Sequence, residues 1–446
     1  MYLRKEDLFK VDSYKYKGGL SMKVIIIGGG WAGCAAAITA KKAGAEVTLY
    51  EKTDMILGLG NVGGIMRNNG RFTAAEELLA LGAGDLINIT DRNTRHKNID
   101  FPGHKHAWLY DVNKIEPAVK KYLLEIGIEL KMLSRVVDIK KAEDRIIGLY
   151  LADGTYDEGD VFIETTGSTG PMGNCLRYGN GCSMCVLRCP AFGPRVSISM
   201  RAGVDDLQGE REDDIYGAFS GSCKLCKESL DEELVRELNE KGSVVLKVPP
   251  EDINMDKLKA KVCQQYALKE FAENVVLLDT GHVKLMTSYY PLDKLRKIKG
   301  LENAKYIDPY AGGKGNSIRY LSVAPRTDDM KVKGISNLFC GGEKSGLFVG
   351  HTEAICTGSL AGHNAVRYLS GMPLLVLPKA TAIGDIISYA NYKMMSKKGR
   401  RNRYTFAGAE YFKRMQDMKL YSTDKDEIES RIESLGLTDI MNQKLI

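Results

Sequence analysis

Residues 23–52 read KVIIIGGGWAGCAAAITAKKAGAEVTLYEK. Val24 to Ile27 form a short β-branched run, the pattern of a strand covered on both faces. Gly28, Gly30 and Gly33 follow on the G-x-G-x-x-G spacing. The first glycine permits a tight turn, the second lets backbone approach a pyrophosphate, and the third lets a helix pack closely on the strand. The N-terminus of that helix offers free N–H groups and a dipole that favour an anion. A second strand, Glu46 to Tyr50, ends at Glu51, about 20 residues after the glycines, where a carboxylate accepts hydrogen bonds from ribose hydroxyls. Strand, turn, helix, strand and acid together specify a dinucleotide site at Gly28, Gly30, Gly33 and Glu51. Gly58, Gly60 and Gly63 repeat the spacing, but no buried strand precedes them, so they do not make a second site.

The chain has 446 residues, 44 % hydrophobic and 27 % charged, enough for two or three globular domains. Its 63 basic and 57 acidic side chains leave a mild net charge of +6, which permits an anionic partner without requiring one. No run approaches the roughly 18 apolar residues of a membrane span, and residues 1–21 lack the apolar core of a signal peptide. The expectation is a cytoplasmic protein with no membrane partner.

Beyond Glu51 the nucleotide fold is split. A glycine-rich loop, MILGLGNVGGIMRNNG (55–70), comes first. YDVNKIEPAVKKYLL (110–124) has the spacing of an amphipathic helix, and a strand, a hairpin and the strand Val161 to Glu164 follow. That last strand runs into Thr165-Thr166-Gly167, a bare turn suited to the adenine-ribose side. Far later, Asn337 to Cys340 is another buried strand, and in residues 341–371 a helix starts near His351 or Thr352 and ends before Gly371. Ala354, Gly358, Ala361, Gly362 and Ala365 form a small-residue stripe on it, which lets another backbone approach closely.

These separated pieces resemble FAD-dependent oxidoreductases of the two-dinucleotide-binding class. Residues 338–389, LFCGGEKSG through DIISY, are more narrowly similar to the glucose-inhibited division protein A family and to folate- and FAD-dependent tRNA uridine-5-methyltransferases. The resemblance covers residues 22–170 and 330–390. It implies FAD, with Gly28, Gly30, Gly33 and Glu51 on the ADP part and Gly342 and Glu343 near the ribityl or pyrophosphate. The backbone from Gly350 through Thr352 to Glu353 would face the isoalloxazine, where a helix N-terminus stabilises charge at N1 and O2. The loop 55–70 would lie along the flavin; otherwise it is a mobile surface loop. The methyltransferases depend on thiols close to the flavin, and the segment after Glu51 holds no cysteine.

The middle of the chain carries a second motif. Cys175, Cys182, Cys185, Cys189, Cys223 and Cys226 are six of the ten cysteines. Cys182-x2-Cys185-x3-Cys189-Pro190 approximates a ferredoxin ligand run, one Cys-x2 step short, so a fourth ligand must come from Cys175 or Cys223. The reading is an iron-sulfur cluster of the 4Fe-4S type. Zinc on Cys182, Cys185, Cys223 and Cys226 is the alternative metal, and a redox dithiol or cysteines that bind nothing remain open. Cys34, Cys263, Cys340 and Cys356 read as small buried hydrophobes, with Cys356 one turn into the flavin-facing helix.

Among histidines, His351 is the catalytic candidate, an imidazole able to assist proton transfer to flavin N5 or to substrate; a plain helix-end contact explains it as well. His104 and His106 read as structural residues of a loop. Lys314, Arg319 and Arg326 would bind an anionic substrate or line an exposed strand face. Lys393 to Arg403 packs six basic residues into eleven, a density that can grip RNA phosphates or cap a solvated helix end. A helix capped by Thr423 follows.

The expected fold is α/β, a discontinuous Rossmann-like FAD-binding domain (22–170 and 331–380) with an inserted α+β cysteine-cluster and substrate domain (171–330) and a basic helical tail (381–446). Two function classes follow. One is an FAD oxidoreductase passing electrons through the cluster to or from a small-molecule substrate or an electron-transfer protein. The other is a folate- and FAD-dependent RNA uridine-5-methyltransferase, which needs a cysteine to attack uracil C6 and activate C5; Cys356 or Cys223 would be that thiol.

Overall fold

The computed structural model describes residues 22–168, 191–211, 218–220, 223–259, 261, 263–286, 290–307, 317–319 and 321–446. Its central element is a five-stranded parallel sheet. Strand β1 (Lys23–Ile27) lies between β2 (Glu46–Tyr50) and β4 (Val161–Glu164); β3 (Glu129–Lys131) extends the β2 edge and β5 (Leu338–Cys340) the β4 edge. Ile25 sits opposite Thr48 on one side and Phe162 on the other. Val24, Ile25 and Ile26 are fully buried, as a strand covered on both faces requires, and each contributes roughly 1.5–3 kcal/mol by leaving water. The sheet thus joins pieces about 175 residues apart in sequence, Glu164 beside Cys340.

Helix α1 (Trp31–Lys42) follows the glycine turn and packs against α2 (His351–Leu369). The small-residue stripe explains how closely. A Cβ on Gly358 would stand 2.2 Å from the Ala32 carbonyl oxygen, and one on Gly362 2.3 Å from that of Ala36. Only glycine lets these backbones meet.

The inserted segment has its own core. A four-stranded antiparallel sheet, Cys223–Leu225, Val283–Leu285, Asn274–Asp279 and Ser243–Lys247 in that order, packs with helix Glu232–Lys241 around Leu225, Leu238, Leu277 and Leu285. Flanking residues depart from the expected insertion: Leu321, Val323 and Met330 belong to the main core, and Ile198 and Ala202 to the core beneath β1 and β4. The C-terminal helices are present, yet they are not peripheral. Ile383, Ile386, Tyr411, Met415 and Ile432 join the main core. The last of these helices is Lys425–Ser434, and its cap is Asp424 rather than Thr423; Asp424 Oδ1 accepts from the amides of Asp426 and Glu427. Among the described residues, no helix is long and apolar enough to cross a membrane.

Candidate functional site

A cleft opens at the C-terminal ends of β1, β2 and β4, where an open α/β sheet offers its ligand crevice. The turn after β1 is shaped by its glycines. Gly28 has φ +104°, and a Cβ there would lie 2.5 Å from the Thr165 carbonyl oxygen; one on Gly33 would lie 1.9 Å from that of Gly28. Gly30 differs, since its Cβ would meet nothing within 4 Å, and Gly30 lines the cleft. Gly167 (φ +72°) borders the cleft in the same open way. Glu51 closes the adjacent edge. Its Oε2 accepts from the Gly29 amide at 2.8 Å and its Oε1 from Thr53 at 2.9 Å, which fixes the carboxylate on the cleft wall.

Arg195, unmarked in the sequence reading, stands across from this turn. Its Nη1 donates to the Gly167 carbonyl at 2.5 Å and to Thr166 Oγ1 at 3.3 Å. The side chain is 95 % buried, being 5 % exposed, yet Nε and Nη2 have no hydrogen-bond partner. Burial pulls the guanidinium below its ordinary range. Orphaned cationic donors, bare glycine backbone, a helix N-terminus and a fixed carboxylate on one cleft are the donor set a dinucleotide's pyrophosphate and ribose require, so the residues fit FAD.

The loop 55–70 forms the next part of the wall, through Leu57 to Gly60, Val62, Gly63 and Ile65. Its glycines serve packing. A Cβ on Gly60 would touch Trp31 Nε1 at 2.5 Å, and one on Gly63 would fall 1.7 Å from His351 Cε1. His351 begins α2 and lines the cleft. Its Nδ1 is 3.1 Å from Tyr110 Oη, which also donates to the Gly60 carbonyl at 2.6 Å. Tyr110 ends the strand His104–Tyr110, and the predicted helix begins only at Ile115.

Gly342 and Glu343 line the cleft after β5; Gly342 donates its amide to Thr357 Oγ1 at 2.8 Å, and Glu343 accepts from Ser168 Oγ at 2.6 Å. Gly350 also lines it, and a Cβ there would strike Glu353 Oε2 at 1.9 Å and Arg71 Nη2 at 2.2 Å. These two form a buried ion pair: Arg71 Nε lies 3.0 Å from Glu353 Oε2, while Thr405 Oγ1 and the Phe406 amide donate to Glu353 Oε1 at 2.7 and 2.9 Å. Thr352 departs from the expectation. It is fully buried, its hydroxyl donates to the Met66 carbonyl at 2.6 Å, and it does not line the cleft.

The inserted domain supplies the far wall: Lys261, Cys263, Gln265, Tyr266, Lys284 and Met286. The sequence suggests a small buried hydrophobe at Cys263; the thiol is instead partly exposed on the cleft. Cys356 and Cys223, the thiols first considered, are buried away from it, and burial pushes the Cys356 thiol far up. Cys223 packs in the inserted core beside Leu225 and Tyr306. Cys175, Cys182, Cys185 and Cys189 lie outside the described residues, and among the described residues no group of His, Cys, Asp or Glu could hold a metal ion.

Other residues are corrected. His104 is fully buried in a strand, its Nδ1 2.8 Å from Asn68 Nδ2 and its Nε2 3.1 Å from the Gln265 carbonyl. Arg326 is buried and donates to the carbonyls of Ser345 and Ile387, so it binds no substrate; Lys314 and the Arg319 side chain are outside the described residues. In the basic run, Arg400 pairs with Glu210, Arg403 is buried on backbone carbonyls, and Lys393 pairs with Glu410. At least three of the run's six basic residues are thus engaged within the molecule.

The family model for "Glucose inhibited division protein A" matches residues 23–278 and 257–373. A tRNA uridine 5-carboxymethylaminomethyl modification enzyme, MnmG, of Alkaliphilus metalliredigens is 24 % identical over 86 % of this chain and 68 % of its own length. A methylenetetrahydrofolate–tRNA-(uracil-5-)-methyltransferase, TrmFO, of Dictyoglomus thermophilum is 36 % identical over 105 residues, 23 % of either chain. The chain therefore matches less than a quarter of that relative's length. The solved structure of Aquifex aeolicus GidA superposes with a TM-score of 0.61 at 17 % identity, covering 93 % of this chain and 76 % of that one, a likeness of fold. With a family match over most of its length and a cleft built for the cofactor, the chain belongs to the glucose-inhibited division protein A family and is an FAD-dependent enzyme.

Proposed function

We propose that this enzyme modifies C5 of a uridine in tRNA, using FAD bound at Gly28, Gly30, Gly33, Glu51, Gly167, Arg195, Gly342 and Glu343. The observation that carries this reading is Cys263, a partly exposed thiol lining the same cleft as the dinucleotide turn. It answers the one objection the sequence raised, the missing thiol after Glu51. Both relatives act, by name, on the 5-position of a tRNA uracil. FAD supplies the reducing equivalents for a one-carbon unit. Cys263 Sγ, as thiolate, adds to uracil C6 as the C5=C6 π bond opens; C5 then takes the one-carbon unit as its folate carrier leaves, and loss of the C5 proton expels the thiolate and restores the ring. His351 donates Nδ1–H to Tyr110, which puts the acceptor lone pair on Nε2, and it moves a proton there. Arg71, anchored by Glu353, holds the start of α2 in place.

The test incubates holoenzyme with an excess of a reductant of the flavin, such as dithionite or a reduced nicotinamide, together with methylenetetrahydrofolate and unmodified tRNA, then analyses nucleosides by mass spectrometry. A C5-modified uridine formed over many turnovers supports the reading, and its absence with wild-type enzyme overturns it.

The second reading, electron transfer between flavin and a 4Fe-4S cluster on Cys182, Cys185, Cys189 and Cys175 or Cys223, rests on the Cys-x2-Cys-x3-Cys-Pro run alone. Iron and sulfide at about four per chain in anaerobically purified protein would favour it. Stoichiometric zinc would favour the alternative metal.

A further inference from the structure

The part of the cleft wall supplied by the inserted domain holds two lysines in an unusual state. Lys261 is 8 % and Lys284 7 % exposed. Lys284 lies between Val283 and Leu285, whose side chains enter the inserted core, so its own side chain leaves on the other face of the strand toward the cleft. Its Nζ donates to the Val62 carbonyl of the glycine-rich loop at 2.8 Å, and Lys261 Nζ donates to the Met286 carbonyl at 2.8 Å. A third lysine, Lys224, is the cross-strand register partner of Lys284 and donates to the neighbouring Asn61 carbonyl at 3.0 Å. Like charges directly opposite on one face repel. Among the described residues none of the three forms an ion pair with a carboxylate. An ammonium carries three donors, so among the described residues Lys284 retains donors beyond the carbonyl it holds, and so does Lys261, whose Nζ also lies 5.9 and 5.7 Å from the ring centroids of Tyr266 and Phe271. Burial, reinforced for Lys284 by Lys224, pushes Lys284 down to about 7 and Lys261 to about 8. The wall is short of negative charge.

Beside them is a second unfilled group. Gln265, 3 % exposed and on the same wall, has a buried Oε1 with no hydrogen-bond partner. It is an acceptor of the kind an imide N–H would satisfy.

We propose that Lys261 and Lys284 form a phosphate subsite that seats the phosphate of the target nucleotide, with Gln265 accepting from its pyrimidine ring; this rests on the uridine reading above. Two point charges without a guanidinium fork suit a tetrahedral phosphate, which accepts from many directions, better than a planar carboxylate, which favours the paired geometry of arginine.

The experiment uses FAD-loaded full-length enzyme, with a tRNA transcript, uridine 5′-monophosphate and uridine as probes. Variants are Lys261→Met, Lys284→Met, their double and the charge-preserving Lys284→Arg. Wild-type enzyme should prefer the monophosphate to uridine by about tenfold, the worth of a charge-assisted hydrogen bond, and the methionine variants should lose that preference while keeping their flavin. The salt slope of tRNA binding should flatten by about 0.7, one phosphate of a single-stranded segment, in the double variant and stay unchanged in Lys284→Arg. Wild-type binding of tRNA with unaltered preference and slope in the methionine variants overturns the lysine site alone. No tRNA binding by wild type overturns the uridine reading and this site together. Loss of flavin affinity with tRNA binding intact assigns the lysines to the cofactor and also overturns the proposal. Should Lys284→Met fail to fold, Lys261→Gln and Lys284→Arg carry the same comparison.

Discussion

Tyr110 Oη sits 3.1 Å from His351 Nδ1 and donates its own proton to the Gly60 carbonyl at 2.6 Å, so one hydroxyl ties the strand, the glycine-rich loop and the start of α2 together. Because the tyrosine proton is committed to Gly60, His351 must be the donor at Nδ1. Tyr110→Phe should keep full flavin content and slow turnover by about tenfold or more, while His351→Asn should cost about 100-fold, the range of a lost proton-transfer group. Equal turnover in Tyr110→Phe and wild type would show that the hydroxyl does not orient the imidazole.

The dinucleotide turn predicts flavin content directly. Gly30→Val places a branched side chain in open cleft space, and the purified protein should be colourless. Arg195→Met removes orphaned donors without filling the cleft, so FAD affinity should fall roughly 10- to 100-fold, as for a hydrogen bond to a charged group. Flavin titration by absorbance reads both, and wild-type affinity in either variant contradicts the assigned site.

Arg71 and Glu353 are both nearly inaccessible, with side chains 3 % and 0 % exposed. Glu353→Ala should destabilise the fold by about 3–5 kcal/mol, because a buried guanidinium is left uncompensated. A chemical-denaturation midpoint unchanged from wild type would refute this.

His104 carries a pH dependence whose sign is fixed. Burial, with Arg71 adding to it, lowers its pKa from 6.5 to about 3, so the folded protein holds it neutral where the unfolded chain protonates it. The unfolded state binds more protons between these values, and stability is lost as pH falls from about 6.5 toward 3, by up to about 1.4 kcal/mol per pH unit. His104→Gln should shallow the acid limb of the stability curve by up to one proton. An identical slope would place the acid sensitivity elsewhere.

The dinucleotide unit was legible because its signal is local: strand period, glycine spacing and terminal acid all fall within residues 23–52, and β1, α1 and β2 formed there. The small-residue stripe of α2 was legible for the same reason. Its partner was not, since nothing in residues 351–369 names Ala32 or Ala36. Tyr110 was misread as helical because apolar spacing continues from the strand into helix Ile115–Glu125. Cys263, Lys284 and Arg195 escaped because their setting is tertiary. One signal was present, a lysine flanked by valine and leucine in a buried strand, where a charge has no reason to sit without a task.

Attack of Cys263 on uridine leaves a covalent trace. It is tested most directly with a tRNA carrying 5-fluorouridine, since the fluorine at C5 cannot leave as a proton does and the thiol adduct at C6 persists after C5 is alkylated. Reduced enzyme, methylenetetrahydrofolate and this RNA should give a covalent complex whose nuclease- and protease-digested peptide carries the modified nucleotide on Cys263, and Cys263→Ala should give none. No adduct with wild-type enzyme, or an adduct undiminished in Cys263→Ala, would show that Cys263 is not the nucleophile.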